Sequence, residues 1–185
     1  MRLFAAFPLP AEIVSGILHA LEPVRAQAPR AKWVDGAGLH VTVHFFGECS
    51  DEDLRNLKRV FDDPGLRVPP IPARLGQVGQ FPEHGSPRVL WVGFHRGEEG
   101  MHAFWDLFES RISGQGWERE ARGFSPHVTL ARAGSFSFPA GWPPAIRMPA
   151  VDFSLEECVL FQSVLGPAGA TYHAQGRIPL GRGSP

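Results

Sequence analysis

Two short segments of the sequence carry a histidine and a threonine separated by one apolar residue. They are His40-Val41-Thr42 and His127-Val128-Thr129. The chain holds only three threonines, so two of them stand at this spacing from a histidine. Near neutral pH an imidazole can accept or donate a proton, and a threonine hydroxyl can donate a hydrogen bond to a phosphoryl oxygen. Two such pairs around one phosphorus atom could break a phosphodiester by general acid–base catalysis.

This chemistry requires that each motif lie on a β-strand. Residues i and i+2 of a strand point to the same face, roughly 6.5–7 Å apart, so the histidine and the threonine would face one cavity. Strict alternation over the first strand, predicted at 40–46, places four side chains on that face: His40, Thr42, His44 and Phe46. Val41, Val43 and Phe45 would then face the other way, and the two valines would hold the strand against the core.

An internal repeat surrounds the two motifs. Each copy has a strand, which begins at Arg2 or at Arg88, then a helix, and then the histidine of the motif, 38 or 39 residues after the arginine. The order of the elements is the same in both copies. The repeat therefore indicates two similar lobes, each of which contributes one His-x-Thr strand.

The remaining patterns predict the other elements. Apolar periodicity predicts helices over 10–21, 51–61 and 98–113, and further strands at 32–34, 71–79, 88–95, 117–122, 151–164 and 171–178. Residues 22–31 and 133–149 are rich in proline and predict loops. Helices alternate with strands, several of which are joined by short turns, and this favours an α+β fold over a doubly wound parallel sheet.

Composition limits the classes of function. The chain has 185 residues, 43% of them hydrophobic, and a formal net charge of −1, which excludes a disordered chain and a generally basic nucleic-acid surface. Proline interrupts the first apolar run, and no run reaches about 18 residues, so neither a signal peptide nor a membrane span is predicted. Two cysteines without a CxxC motif predict reduced, buried thiols in a cytoplasmic protein.

Zinc binding is the main alternative for the histidines. His40, His44 and His127 could each supply an imidazole ligand. However, the i, i+4 spacing of His40 and His44 spans about 13 Å on a strand, which is too far for both to bind one ion. We therefore expect no metal and no cofactor.

The chain resembles the 2H phosphoesterase superfamily, and within it the bacterial RNA 2′,3′-cyclic phosphodiesterases, also called 2′-5′ RNA ligases. The resemblance covers nearly the whole chain and is carried by residues 1–10, 39–48, 87–93, 124–132, 160–163 and Tyr172. It implies one domain over 1–185, with two pseudo-symmetric lobes. Each lobe would have an antiparallel sheet and flanking helices, with the active-site cleft between the lobes. It also implies hydrolysis of a 2′,3′-cyclic phosphate to a 2′-phosphate without a metal.

The resemblance also implies roles for individual residues. His40 would be the acid that protonates the 3′ leaving oxygen and His127 the base that activates water, although the two roles could be exchanged. Thr42 and Thr129 would hold the non-bridging phosphate oxygens. Arg132 would add a charged contact, which requires the strand to end or twist because alternation places Arg132 on the face opposite His127.

Three further residues are candidates for substrate contact. His44 departs from the family pattern, and on the cleft face it would touch substrate or change a neighbouring pKa. Phe46 and Phe7 could stack on a base or could belong to the core.

The expected protein is a cytoplasmic monomer that acts on RNA ends or on small 2′,3′-cyclic nucleotides. Its near-neutral charge argues against a tight grip on long RNA. Two alternatives remain: the 2′-5′ ligase direction of the same site, and a catalytically silent module that binds nucleotides or RNA.

Overall fold

The computed structural model describes residues 1–119, 123–134, 138, 145–166 and 169–181. These residues form the α+β fold that the sequence predicts, with nine strands and three α-helices. In chain order the elements are β1 (Arg2–Pro8), α1 (Ala11–Arg25), β2 (Lys32–Trp33), β3 (His40–Glu48), α2 (Asp51–Phe61), β4 (Ile71–Phe81), β5 (Val89–Arg96), α3 (Glu98–Ser113), β6 (Val128–Arg132), β7 (Phe153–Leu155), β8 (Glu157–Gly166) and β9 (Gly169–Pro179).

The sheet consists of two matching halves. Its strand order is β7-β4-β5-β6-β3-β1-β8-β9, with β2 paired to β6, and each described strand pair is antiparallel. One half is β3-β1-β8-β9 and the other is β6-β5-β4-β7, so the His-x-Thr strand is innermost in both. Because β1-α1-β3 and β5-α3-β6 occupy equivalent places, the predicted two-lobed arrangement is confirmed.

The two lobes meet at the centre of the two motifs. β3 pairs with β6 through one residue pair, Val41 with Val128, and both valines are fully buried. β2 then pairs with the far end of β6, so β3 and β6 part beyond the valines. Since the strands are antiparallel, His40 lies toward Thr129, and Thr42 lies toward His127.

The helices supply the apolar layer that covers the sheet. α1 buries a stripe at helical spacing, and α3 buries a largely aromatic one: Ile13, Ile17, Leu21 and Val24 in α1, and Met101, Phe104, Trp105, Phe108 and Ile112 in α3. Ser50 caps α2 through a reciprocal hydrogen-bond pair with Asp53, which fixes the start of the helix where the sequence predicts it. Both cysteines are buried free thiols. The described helices all fall short of the length and apolar character that a membrane span needs.

One predicted helix boundary and one predicted strand differ from the structure. α1 continues to Arg25 through Pro23, although the sequence predicts a loop from residue 22. Tertiary contacts hold this last turn, because the Arg25 guanidinium donates to the Val34 carbonyl at 2.9 Å and lies over the Trp33 ring. The edge strand predicted at 117–122 is absent from 117–119, where Trp117 packs edge-on against Phe46. Residues 120–122 lie outside the described residues.

Candidate active site

A cavity of about 350 Å³ is lined by residues of both His-x-Thr strands. His40 and Thr42 come from β3, and Thr129 and Arg132 come from β6. His127 lies beside this cavity rather than in its lining, two residues before Thr129 and close enough to His40 for their charges to interact. The fold therefore brings together side chains that are 87 residues apart in the two motifs.

A β-bulge in β6 places Arg132 on the cavity side of the strand, although strict alternation places it on the opposite face. Leu90 of β5 pairs with Ala131, and its neighbour Trp91 pairs with Thr129, so Leu130 is an extra residue. Leu130 and Ala131 are both fully buried, and the alternation restarts one residue later. Arg132 thereby returns to the face of Thr129 and lines the cavity.

The same irregularity occurs at the equivalent place in β3 and makes one prediction wrong. Ala6 pairs with Thr42 and Ala5 with His44, so Val43 is the extra residue. The side chains of Val43 and His44 are both buried, and Phe45 returns to the cavity with 60% of its surface exposed. His44 and Phe46 therefore do not share the face of His40, and strict alternation fails after Thr42.

The three predicted substrate contacts lie in the core. His44 is 5% exposed, and its Nδ1 atom lies 2.5 Å from a carboxylate oxygen of the fully buried Glu109. Phe46 packs against His44 and Trp117. Phe7 pairs with the inward-facing Val41 and packs edge-on against Phe104. Phe7 and Phe46 thus belong to the core, which was the alternative to base stacking. We propose no substrate contact for Phe7, His44 or Phe46.

His40 lies in an aromatic and positively charged environment. Its ring centroid is 5.0 Å from that of Phe4 and 5.6 Å from that of Tyr172. Burial, the charge of Arg132 and the charge of His127 together lower the pKa of His40 to about 4. In the free protein His40 is therefore neutral near pH 7.

A backbone contact orients His127. Its Nδ1 atom lies 2.7 Å from the carbonyl oxygen of Ser125. A carbonyl only accepts hydrogen bonds, so Nδ1 carries the hydrogen and donates it. This leaves Nε2 as the ring nitrogen that can exchange a proton with a substrate. The ring packs edge-on against Phe81 at 5.3 Å.

Sequence reasoning missed the exposed aromatic residue of the cavity. Alignment of the two repeats around their bulges places Phe45 opposite Arg132, as the third residue after the threonine in each copy. That alignment would have identified Phe45, whereas strand alternation selected Phe46. Tyr172 and Phe4, which also line the cavity, carry no spacing signal of their own.

This arrangement can hold one anion and move two protons. Two threonine hydroxyls and a guanidinium are directed at one cavity, and such groups bind non-bridging phosphate oxygens. The imidazole of His40 lines the same cavity, and that of His127 lies beside it. Across the described residues, no group of three or more histidine, cysteine, aspartate or glutamate side chains is placed to hold a metal ion.

The fold and the site define a two-lobed phosphoesterase with paired His-x-Thr strands. The sequence profile of the 2′-5′ RNA ligase superfamily matches residues 13–136, and the chain belongs to that family. An RNA 2′,3′-cyclic phosphodiesterase of Thermus thermophilus is 35% identical, over 93% of this chain and 86% of the relative. An RNA 2′,3′-cyclic phosphodiesterase of Methanocaldococcus jannaschii is 28% identical, over 93% of this chain and 96% of the relative.

A solved structure supports the same assignment. Escherichia coli LigT in complex with 3′-AMP superposes with a TM-score of 0.78 at 28% sequence identity and covers 97% of both chains.

The electrostatics of His40 predict that anion binding is coupled to proton uptake. An anion in the cavity offsets the charge of Arg132 and favours charged imidazole, so it raises the pKa of His40 above about 4. The affinity for sulfate, which keeps its charge throughout, should therefore rise as the pH falls from about 8 to about 5. Calorimetric titration of the His127→Gln variant isolates the pH dependence of sulfate affinity that is due to His40. The double variant, which also carries His40→Gln, should lose this pH dependence. An affinity that is independent of pH in wild type would contradict this account.

The buried His44–Glu109 pair should contribute strongly to stability. His44→Ala removes a partner of a fully buried carboxylate, and we expect a loss of about 3 kcal/mol in the free energy of unfolding. The matched control is His19→Ala, which breaks a pair with Glu22 whose side chains are 86% and 72% exposed and should have little effect. Urea denaturation measures both. Equal, small shifts in the two midpoints would show that the buried pair contributes no more than an exposed one.

Proposed function

We propose that this protein hydrolyses the 2′,3′-cyclic phosphate of RNA ends or of nucleotides to a 2′-phosphate. The observation that carries the proposal is the convergence of two His-x-Thr strands, joined at Val41 and Val128, on one cavity. The names of the Thermus and Methanocaldococcus relatives, RNA 2′,3′-cyclic phosphodiesterase, support the substrate class. The buried free thiols of Cys49 and Cys158 support action in the reducing cytoplasm.

Three side chains would hold the phosphate. The hydroxyls of Thr42 and Thr129 would donate to its non-bridging oxygens from opposite strands. Arg132 would add a charge-assisted contact, for which it is available because none of the described carboxylates forms an ion pair with it. This gives the positive charge a local source although the net charge of the chain is −1.

The lining of the cavity supports an assignment of the two histidines. The cavity contains His40 and the aromatic rings of Phe4, Phe45 and Tyr172, which provide apolar surface for the nucleoside attached to the phosphate. His40 would then lie next to the 3′ oxygen of that nucleoside, and His127 would lie on the opposite side, where water enters. His40 is therefore assigned as the acid and His127 as the base.

The reaction then proceeds by one displacement at phosphorus. The Nε2 atom of His127 takes a proton from water, whose oxygen forms a bond to phosphorus. The bond between phosphorus and the 3′ oxygen breaks, and His40 gives a proton to that oxygen. The products are a 3′-hydroxyl and a 2′-phosphate, and the next cycle requires proton exchange between the two histidines and solvent.

Substrate binding would prepare His40 for this role. His40 is neutral in the free protein because of its lowered pKa, and a neutral imidazole cannot act as the acid. The phosphate offsets the charge of Arg132 and favours the protonated imidazole, so His40 becomes the acid in the complex.

The pH range in which kcat is high should therefore lie above that of kcat/KM, which reports the free enzyme.

Turnover of a 2′,3′-cyclic nucleotide in the presence of EDTA tests the proposed function. Wild type should release a 2′-phosphate, and His40→Gln and His127→Gln should each lose about 10²- to 10⁴-fold in rate. His84→Gln, a change of an exposed histidine in the loop after β4, is the matched control and should retain the rate.

The other outcomes separate the alternatives. Binding of the nucleotide without turnover by wild type would favour a silent binding module. Activity that EDTA abolishes would show that a metal takes part in the reaction.

A further inference from the structure

The sequence of β3 fits two registers beyond its His-x-Thr motif, and the two registers present different side chains to the active-site cavity. In the regular register His44 would pair with Phe4 on the cavity face, as strict alternation predicts. In the observed register Val43 is an extra residue, and Phe45 pairs with Phe4 instead. Phe4 and Phe45 both line the cavity. The bulge therefore replaces an imidazole by a phenyl ring at this point of the lining.

The two registers bury the same number of phenylalanine side chains. The regular register would bury Phe45 and expose Phe46, whereas the observed register leaves Phe46 8% exposed and Phe45 60% exposed. The registers differ in His44, which only the observed register buries, to 5% exposure. A buried imidazole loses its hydrogen bonds to water, so the observed register requires a polar partner for His44 in the core.

Glu109 of α3 is this partner. One of its carboxylate oxygens lies 2.5 Å from the Nδ1 atom of His44, and the glutamate side chain is fully buried. Among the described residues, no other imidazole or carboxylate is buried. In the regular register His44 would leave the core, and the buried carboxylate would lose this contact. The pair therefore favours the bulged register from both sides.

We propose that Glu109 is a positioning residue for substrate binding: its contact with His44 holds β3 in the bulged register, so that Phe45 and not His44 faces the nucleoside. Because α3 joins β5 to β6, a helix of the second lobe would thus determine the base-binding surface of the first lobe. This inference rests on the proposed function, since it takes the ring of Phe45 as the apolar surface for a base.

Reaction with diethyl pyrocarbonate, located by mass spectrometry, tests the register directly. The reagent acylates accessible imidazoles, so His44 should be protected in wild type. Glu109→Met replaces the carboxylate with an apolar side chain of similar length. His44 should then become reactive, because an imidazole without a partner is more stable on the cavity face. The fully buried Cys158 should stay protected from iodoacetamide, which shows that the core of the variant remains folded.

A comparison of two substrates tests the consequence for binding. One is a 2′,3′-cyclic mononucleotide, and the other is the 2′,3′-cyclic phosphate of methyl riboside, which has no base. The ratio of their kcat/KM values measures the contribution of the base. We expect Glu109→Met to lower this ratio about tenfold through the KM of the nucleotide, as the loss of one base stack predicts. Phe45→Ala should lower it equally, and the double variant should lower it no further.

Three further variants separate positioning from general damage to the core. Glu109→Gln keeps a side-chain oxygen that accepts a hydrogen bond from His44, and it should retain the ratio. The double variant His44→Leu/Glu109→Met is apolar at both positions, so residue 44 stays in the core and the ratio should recover. Glu99→Met, the same substitution at an exposed position of α3, should leave the reactivity of His44 and the ratio unchanged.

The outcomes distinguish this inference from the function on which it rests. A folded Glu109→Met variant with a protected His44 and an unchanged ratio would overturn it. A ratio that the double variant does not recover would also overturn it, because the fall would then reflect damage to the core. Equal kcat/KM values for the two substrates in wild type would exclude Phe45 as the base surface, and with it the role of Glu109 in binding. If wild type hydrolyses neither substrate, the proposed function fails, and the reactivity of His44 still decides the register.

Discussion

The whole site depends on one contact, the pairing of Val41 with Val128 where the two lobes meet. Burial of both valines fixes the facing direction of the histidine and threonine on either side of each. Because the strands are antiparallel, this one pair sets each histidine toward the threonine of the other strand. The chemistry of the site therefore depends on apolar packing beneath it, and neither motif could hold a phosphate between two strands without the other.

The two lobes use the same backbone irregularity for different purposes. Each His-x-Thr strand bulges one residue after its threonine, at Val43 and at Leu130, and each then returns one side chain to the cavity. That side chain is Phe45 in the first lobe and Arg132 in the second. A nearly symmetric scaffold thus provides an apolar surface on one side and a positive charge on the other. This asymmetry distinguishes the two histidines, since Arg132 contributes to the lowered pKa of His40.

Much of this architecture could be predicted because it follows from local patterns. The two motifs, the capped helix over 51–61 and the aromatic helix over 98–113 all lie where periodicity and capping place them. The bulges could not be predicted from alternation, since an extra residue in a ladder depends on the partner strand. Because of the bulges, strict alternation placed His44 and Phe46 on the cavity face, where they do not lie. It also placed Arg132 on the opposite face from the one it occupies. The buried Glu109, whose carboxylate contacts His44, lies 65 residues further along the chain, and no local pattern connects the two residues.

In the proposed reaction, His40 gives a proton to the 3′ oxygen while His127 removes one from water. A 2′,3′-cyclic substrate in which sulfur replaces the 3′ oxygen tests it most directly, because a thiolate leaves without protonation. Hydrolysis rates of this analogue and of the normal substrate should be compared in His40→Gln and in His127→Gln. The analogue should restore most of the activity to His40→Gln and none to His127→Gln. Restoration in His127→Gln alone would exchange the two roles, and restoration in neither would contradict catalysis by a histidine acid.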